Sequence, residues 1–101
     1  MLAEFSIVPL GTGESISHYV ARAIKIVEQS GLDYRMNPMG TVVEGAWDEV
    51  MAVIKSCHNE VLRDSTRVVT RIVVDDRPAA GKRIDAKVRS VEDKLGRDVR
   101  K

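Results

Sequence analysis

The stretch Leu32-Asp33-Tyr34-Arg35-Met36-Asn37-Pro38-Met39-Gly40-Thr41-Val42-Val43-Glu44-Gly45 decides the fold. Residues 32–36 and 39–44 each have the length of a short strand, and the second is enriched in β-branched Thr41, Val42 and Val43. Asn37-Pro38 separates them, because proline has no amide to give a ladder and pushes the preceding residue out of helical backbone. Two strands in succession, with no helix between them, mark the middle of a larger pattern.

Outward from this pair, both flanks read as helices. On the N-terminal side Ile16, Tyr19, Val20, Ala23, Ile24 and Val27 recur at helical spacing. His18, Arg22, Lys25 and Glu28 take the wet side, Ser15 is a candidate N-cap and Gly31 the residue that ends the helix. On the C-terminal side Gly45 precedes Ala46-Trp47-Asp48-Glu49, an acidic first turn suited to the positive end of a helix. Trp47, Val50, Met51, Ile54, Cys57, Val61 and Leu62 form its apolar stripe.

Further out lie two more strands. In Leu2–Pro9, Ala3, Phe5 and Ile7 alternate with Glu4, Ser6 and Val8 before Pro9 and Gly11-Thr12-Gly13 stop the strand. Residues 67–75 are the most β-rich run, and Val68, Val69, Ile72, Val73 and Val74 point both ways, which predicts burial on both faces. Residues 82–95 read as a last helix with Ile84, Val88, Val91 and Leu95 on one stripe, ended by Gly96. The order is β-α-β-β-α-β plus one extra helix. Two βαβ crossovers sharing a sheet place both main helices on the same face. The fold class is therefore α+β: a ferredoxin-like βαββαβ sandwich, a four-stranded antiparallel sheet with helices on one face and an extra C-terminal helix. Residues 1–101 form a single domain of this kind. The other sheet face would carry Glu4, Ser6 and Val8 beside Arg67, Val69, Arg71 and Val73. That mixture suits packing against a partner sheet better than standing in water.

Composition narrows the function classes. With 44% hydrophobic and 31% charged residues, the 101-residue chain can build both a core and a solvated surface. Sixteen basic residues against fifteen acidic ones leave a formal charge of +1, without the electrostatic footprint of a duplex binder. The single cysteine, Cys57, allows no internal disulfide and fits a reducing compartment. The first nine residues contain Glu4 and no basic stretch, so they do not read as a signal peptide. No apolar run approaches the roughly 20 residues that cross a bilayer. A cytoplasmic location is expected, with neither nucleic acid nor membrane as partner.

Few residues carry chemistry. His18 and His58 fall on different predicted helices, outside any ligand-spaced cluster, so no metal site is expected and each should be solvated or locally bonded. Cys57 sits on an apolar stripe and faces away from His58, which predicts a packed core thiol. Gly11-Thr12-Gly13 lacks both the full glycine fingerprint and the lysine of a phosphate loop, and reads as a flexible turn. Base stacking on the sheet needs exposed aromatics, yet Phe5 belongs to the helix-facing set and residues 67–75 hold none. The hairpin region is different. It combines an aromatic ring, an amide, a hydroxyl, a thioether and a carboxylate, the mixture that holds small flat heterocycles. The alternative is an ordinary hairpin with Tyr34 and Met39 packed inward and Glu44 at a helix start.

Three blocks, taken in order, are Glu4-Phe5-Ser6-Ile7-Val8-Pro9-Leu10-Gly11, Tyr34 through Pro38-Met39-Gly40-Thr41-Val42-Val43-Glu44-Gly45, and the Arg71…Asp76-Arg77 strand end. Together they resemble the thiamine-binding protein family, small proteins related to the YkoF-type thiamine and hydroxymethylpyrimidine binders. The resemblance spans nearly the whole chain, and the Pro-Met-Gly-Thr…Glu-Gly block is its most specific part. It implies a ferredoxin-like fold, sheet-to-sheet dimers pairing into tetramers, and binding of thiamine or its pyrimidine moiety without a reaction or a cofactor. On that resemblance the candidate ligand-binding residues are Ser6, Tyr34, Asn37, Met39, Thr41 and Glu44. Ser6 and Thr41 hydroxyls can donate to ring nitrogens or accept from the exocyclic amine, and Asn37 can do both. Tyr34 could stack on the ring and Met39 fill around it. Glu44 could accept from the amine or offset a thiazolium charge. The expected function is non-catalytic binding of thiamine or hydroxymethylpyrimidine for salvage, buffering or delivery. Alternatives are an ACT-like oligomeric module sensing another small metabolite, or an enzyme with Glu44 as base, for which no partner group is identifiable.

Overall fold

In the computed structural model, which describes residues 1–11, 13, 16–78 and 81–101, the elements follow in order. They are β1 (Leu2–Pro9), α1 (Ser17–Ser30), β2 (Asp33–Asn37), β3 (Gly40–Glu44), α2 (Trp47–Leu62), β4 (Val68–Asp75) and α3 (Ala86–Leu95). The four strands form one antiparallel sheet in the order β2-β3-β1-β4. This is the βαββαβ-type arrangement with an extra helix that the hairpin's position between two helices predicts. Phe5 stands opposite Thr41 on one side and Ile72 on the other, while Ser6 stands opposite Arg71.

Strand alternation sorts the sheet into two faces. Ala3, Phe5 and Ile7 join Val43 in the core against Tyr19, Ala23 and Val27 of α1 and Val50, Val53, Ile54, Cys57 and Val61 of α2. Gly31 ends α1 at φ 76°, the left-handed conformation that a side chain would resist. The two helices are tied by Arg22 of α1, whose guanidinium donates to Asp64 at 2.9 Å and to the Glu60 carboxylate at 3.2 Å and carbonyl at 2.7 Å. The Arg22 hydrogen bond holds the Asp64 carboxyl below its ordinary pKa.

The other face is covered only at one end. Asp33, Glu44, Leu2 and Asp75 form one row across all four strands. Residues 82–85, just ahead of α3, lie over that row. Glu44, only 8% exposed, accepts the Arg83 N–H at 2.6 Å and the Ile84 N–H at 3.3 Å. Around it Asp75 accepts from Arg83 at 3.1 Å and Lys87 at 2.8 Å, Lys82 meets Asp33 at 2.7 Å, and Arg35 pairs with Asp85.

Several expectations need correction. The last helix begins at Ala86 rather than residue 82, and ahead of it the amides of Arg83 and Ile84 donate to the Glu44 carboxylate. No residue of β4 is buried, as β4 is an edge strand that the helical layer meets chiefly through α2. Trp47 opens α2 at 54% exposed, and Leu62 closes it exposed, so the stripe is buried only between them. The proposed Ser15 cap and the Thr12 turn position lie outside the described residues.

Candidate functional site

A cavity of ≈ 460 Å³ opens at the end of the sheet away from the covered row, where β1 runs out, the β2–β3 turn closes and α1 begins. That volume is in the range that encloses small organic ligands. Its walls are Phe5 and Ile7 from the sheet, Ile16, Tyr19, Val20, Ala23 and Ile24 from the α1 side, and Met36 from β2. Against this apolar surface it receives Ser6, Asn37, Thr41 and Arg71.

Thr41 is the residue set deepest. It pairs with Phe5 and Met36, shares the helix-facing side with Val43, and is 7% exposed. Its hydroxyl has no hydrogen-bond partner among the described residues. A buried hydroxyl without a partner costs about 1–3 kcal/mol, and this one faces a cavity that can admit a partner to it. Ser6 and Asn37 are half-buried, and Met39 stands at the rim, 87% exposed. Gly40 lets β3 approach β1 here: a Cβ on it would lie 3.1 Å from the Phe5 carbonyl oxygen.

The fold gathers Ser6, Asn37, Met39 and Thr41 around one cavity at the end of the sheet, Thr41 from the helix side and Ser6 and Asn37 from the open face, and sets two candidates apart. Tyr34 lies on β2 opposite Val43, on the helix side and partly exposed, and does not line the cavity. Glu44 is at the other end of β3, on the opposite face, with both carboxylate oxygens taken by backbone amides. The α1 wall of Val20, Ala23 and Ile24 was hidden because its spacing is that of any core stripe. Arg71 was legible as a face residue, but its position beside Ser6 needs the strand register.

A smaller hollow of ≈ 230 Å³ adjoins the first through Phe5, Ser6, Met39 and Arg71, and adds Glu4 and Val73.

The remaining reactive groups are occupied elsewhere. Cys57 is buried, its thiol donates to the Ala23 carbonyl at 3.4 Å, and burial pushes its pKa up to about 11. It is a protonated core thiol at neutral pH, as its stripe position predicts. His58 Nδ1 lies 2.6 Å from the Thr70 hydroxyl, joining α2 to β4, and His18 is exposed against the Tyr19 ring. Among the described residues no three His, Cys, Asp or Glu side chains gather as metal ligands, and no helix is long and apolar enough to cross a membrane.

The fold and the cavity define a ferredoxin-like domain with an internal hollow of ligand size. The chain belongs to the thiamine-binding protein family, whose model matches residues 3–92. A UPF0045 protein of Methanocaldococcus jannaschii is 40% identical over 91 residues, covering 90% of this chain and 91% of the relative. The crystal structure of that protein superposes with a TM-score of 0.84 over 89% of this chain and 93% of its own. A Bacillus cereus domain of unknown function is 32% identical at a TM-score of 0.79, covering 92% and 90% of the two chains. A Thermotoga maritima protein assigned by name to thiamine biosynthesis or salvage is 26% identical at a TM-score of 0.77, covering 89% and 96%.

Proposed function

We propose that the chain is a non-catalytic, cytoplasmic binder of thiamine or its hydroxymethylpyrimidine moiety, serving salvage, buffering or delivery. The observation that carries this reading is the unpartnered Thr41 hydroxyl in a largely apolar cavity that Ser6 and Asn37 also line. An aminopyrimidine is flat and apolar on its faces, with ring-nitrogen acceptors and an amine donor on its edge. Phe5, Ile7 and the α1 wall suit the faces, while Thr41, Ser6 and Asn37 suit the edge. Met39 closes over the rim with a pliable side chain. The family's description and the assignment of the Thermotoga relative point to the same ligand class. Glu44, the base of the enzymatic alternative, is held by two amides away from the cavity. Thermal denaturation with thiamine and with hydroxymethylpyrimidine tests the proposal: a specific ligand raises the melting temperature progressively with its concentration. No shift with either compound at millimolar concentration would refute it.

Self-association through the uncovered sheet face belongs to the same proposal. Val8, Val69 and Val73 are exposed there, Val73 at 59%, beyond the row covered by the α3 lead-in. Such a patch is stabilised by a second copy of itself, giving a dimer or a tetramer. Light scattering at micromolar concentration is expected to return one of these masses, and a monomer would rule the association out.

A further inference from the structure

Arg71 is the one feature at the cavity that a neutral pyrimidine leaves unused. It stands opposite Ser6, lines both hollows and is exposed. Arg22, Arg35, Arg63 and Arg83 all hold carboxylates. The Arg71 side chain, like those of Arg67 and Arg77, has no ion-pair or hydrogen-bond partner among the described residues, and of these three it alone lines the two hollows. Glu4 lies two residues before Ser6 on the same face of β1, lines the smaller hollow, and is equally without a partner. A carboxylate and a guanidinium in one small hollow, neither paired with the other, form a site with two opposite charges held apart. Glu4 and Arg71 are diagonal neighbours on the adjacent strands β1 and β4, a relation that sets backbone positions about 7–8 Å apart. That separation fits a ligand tail bearing a cation and then an anion.

We propose that the site takes a phosphorylated ligand, with the pyrimidine in the larger cavity and the tail crossing Ser6 so that its phosphate meets the Arg71 guanidinium. The inference rests on the proposed function and specifies the ligand's form. In thiamine monophosphate the thiazolium ring is cationic and the phosphate lies beyond it on a short arm. Glu4 faces the first charge and Arg71 the second. Guanidinium and phosphate match as a two-pronged, charge-assisted pair, which a free hydroxyl cannot reproduce.

Calorimetric titration with thiamine and thiamine monophosphate, on the wild-type chain and on Arg71→Gln, tests the assignment. The wild type is expected to bind the monophosphate about tenfold more tightly, and Arg71→Gln to bring the two affinities together. Arg71 lies between Val69 and Val73 on the face proposed for self-association, so light scattering reports any change in assembly, while circular dichroism on the variant is expected to match the wild type. Thiamine binding without a phosphate preference in the wild type would overturn this inference alone, whereas failure of both compounds to bind would remove the underlying function as well. A preference that survives in Arg71→Gln, with or without loss of the assembly, would assign the guanidinium to the sheet face rather than to the ligand and would also overturn it.

Discussion

Replacing Glu44 by alanine is expected to cost about 3 kcal/mol of folding stability, since each hydrogen bond to a charged group contributes roughly 1.5–3 kcal/mol. The carboxylate is nearly buried on the sheet and accepts the amides of Arg83 and Ile84. Without it both amides lose their acceptor, and the chain between β4 and α3 loses its anchor. The surrounding pairs, Lys82 with Asp33 and Lys87 with Asp75, are largely exposed and contribute little on their own. Glu44→Gln keeps one acceptor oxygen and should cost less. Urea denaturation measures the loss, and hydrogen exchange at the Arg83 and Ile84 amides should accelerate with it. An unchanged midpoint for Glu44→Ala would show that the carboxylate does not hold this segment. Because Glu44 lies off the cavity, Glu44→Gln should shift thiamine and hydroxymethylpyrimidine affinities equally.

Thr41→Val should separate stability from binding. The substitution keeps the shape and removes a buried hydroxyl that has no partner among the described residues. The ligand-free protein should gain about 1 kcal/mol, the cost of an unsatisfied buried group being relieved. Binding of thiamine and of hydroxymethylpyrimidine should weaken together by about tenfold if, as proposed, the hydroxyl bonds the ring edge they share. Denaturation and calorimetry on the same preparation give both numbers. Lower stability with unchanged affinity would make Thr41 a structural residue and move the ring elsewhere.

The alternation of β1 was legible from residue types, and it correctly assigned Ala3, Phe5 and Ile7 to the core and Glu4, Ser6 and Val8 to the open face. The same period separates Thr41 from Glu44: three positions along a strand place side chains on opposite faces, roughly 10 Å apart. Nearness in sequence within the hairpin block concealed that separation. The start of α3 was not legible, because the apolar stripe through Ile84 continues the helical pattern ahead of Ala86, while the bond that fixes the Ile84 amide is made to Glu44 on β3. Arg71 reaches the cavity only through its register with Ser6, a pairing between distant segments that no local pattern contains.

That register has a bearing on how the chain folds. β1 occupies an interior position in the order β2-β3-β1-β4, with Leu2 paired to both Glu44 and Asp75. The strand that nucleates nothing locally is therefore the one around which the sheet closes. During synthesis Phe5 and Ile7 must wait, apolar and unpaired on one edge, until residues 68–75 have left the ribosome. Long-range pairings of this kind require loop closure before any contact rewards it, which slows folding and lengthens the exposure of an unpaired strand edge. The element order that places Ser6 between the hairpin and Arg71 thus also makes completion of the candidate site a late event in folding.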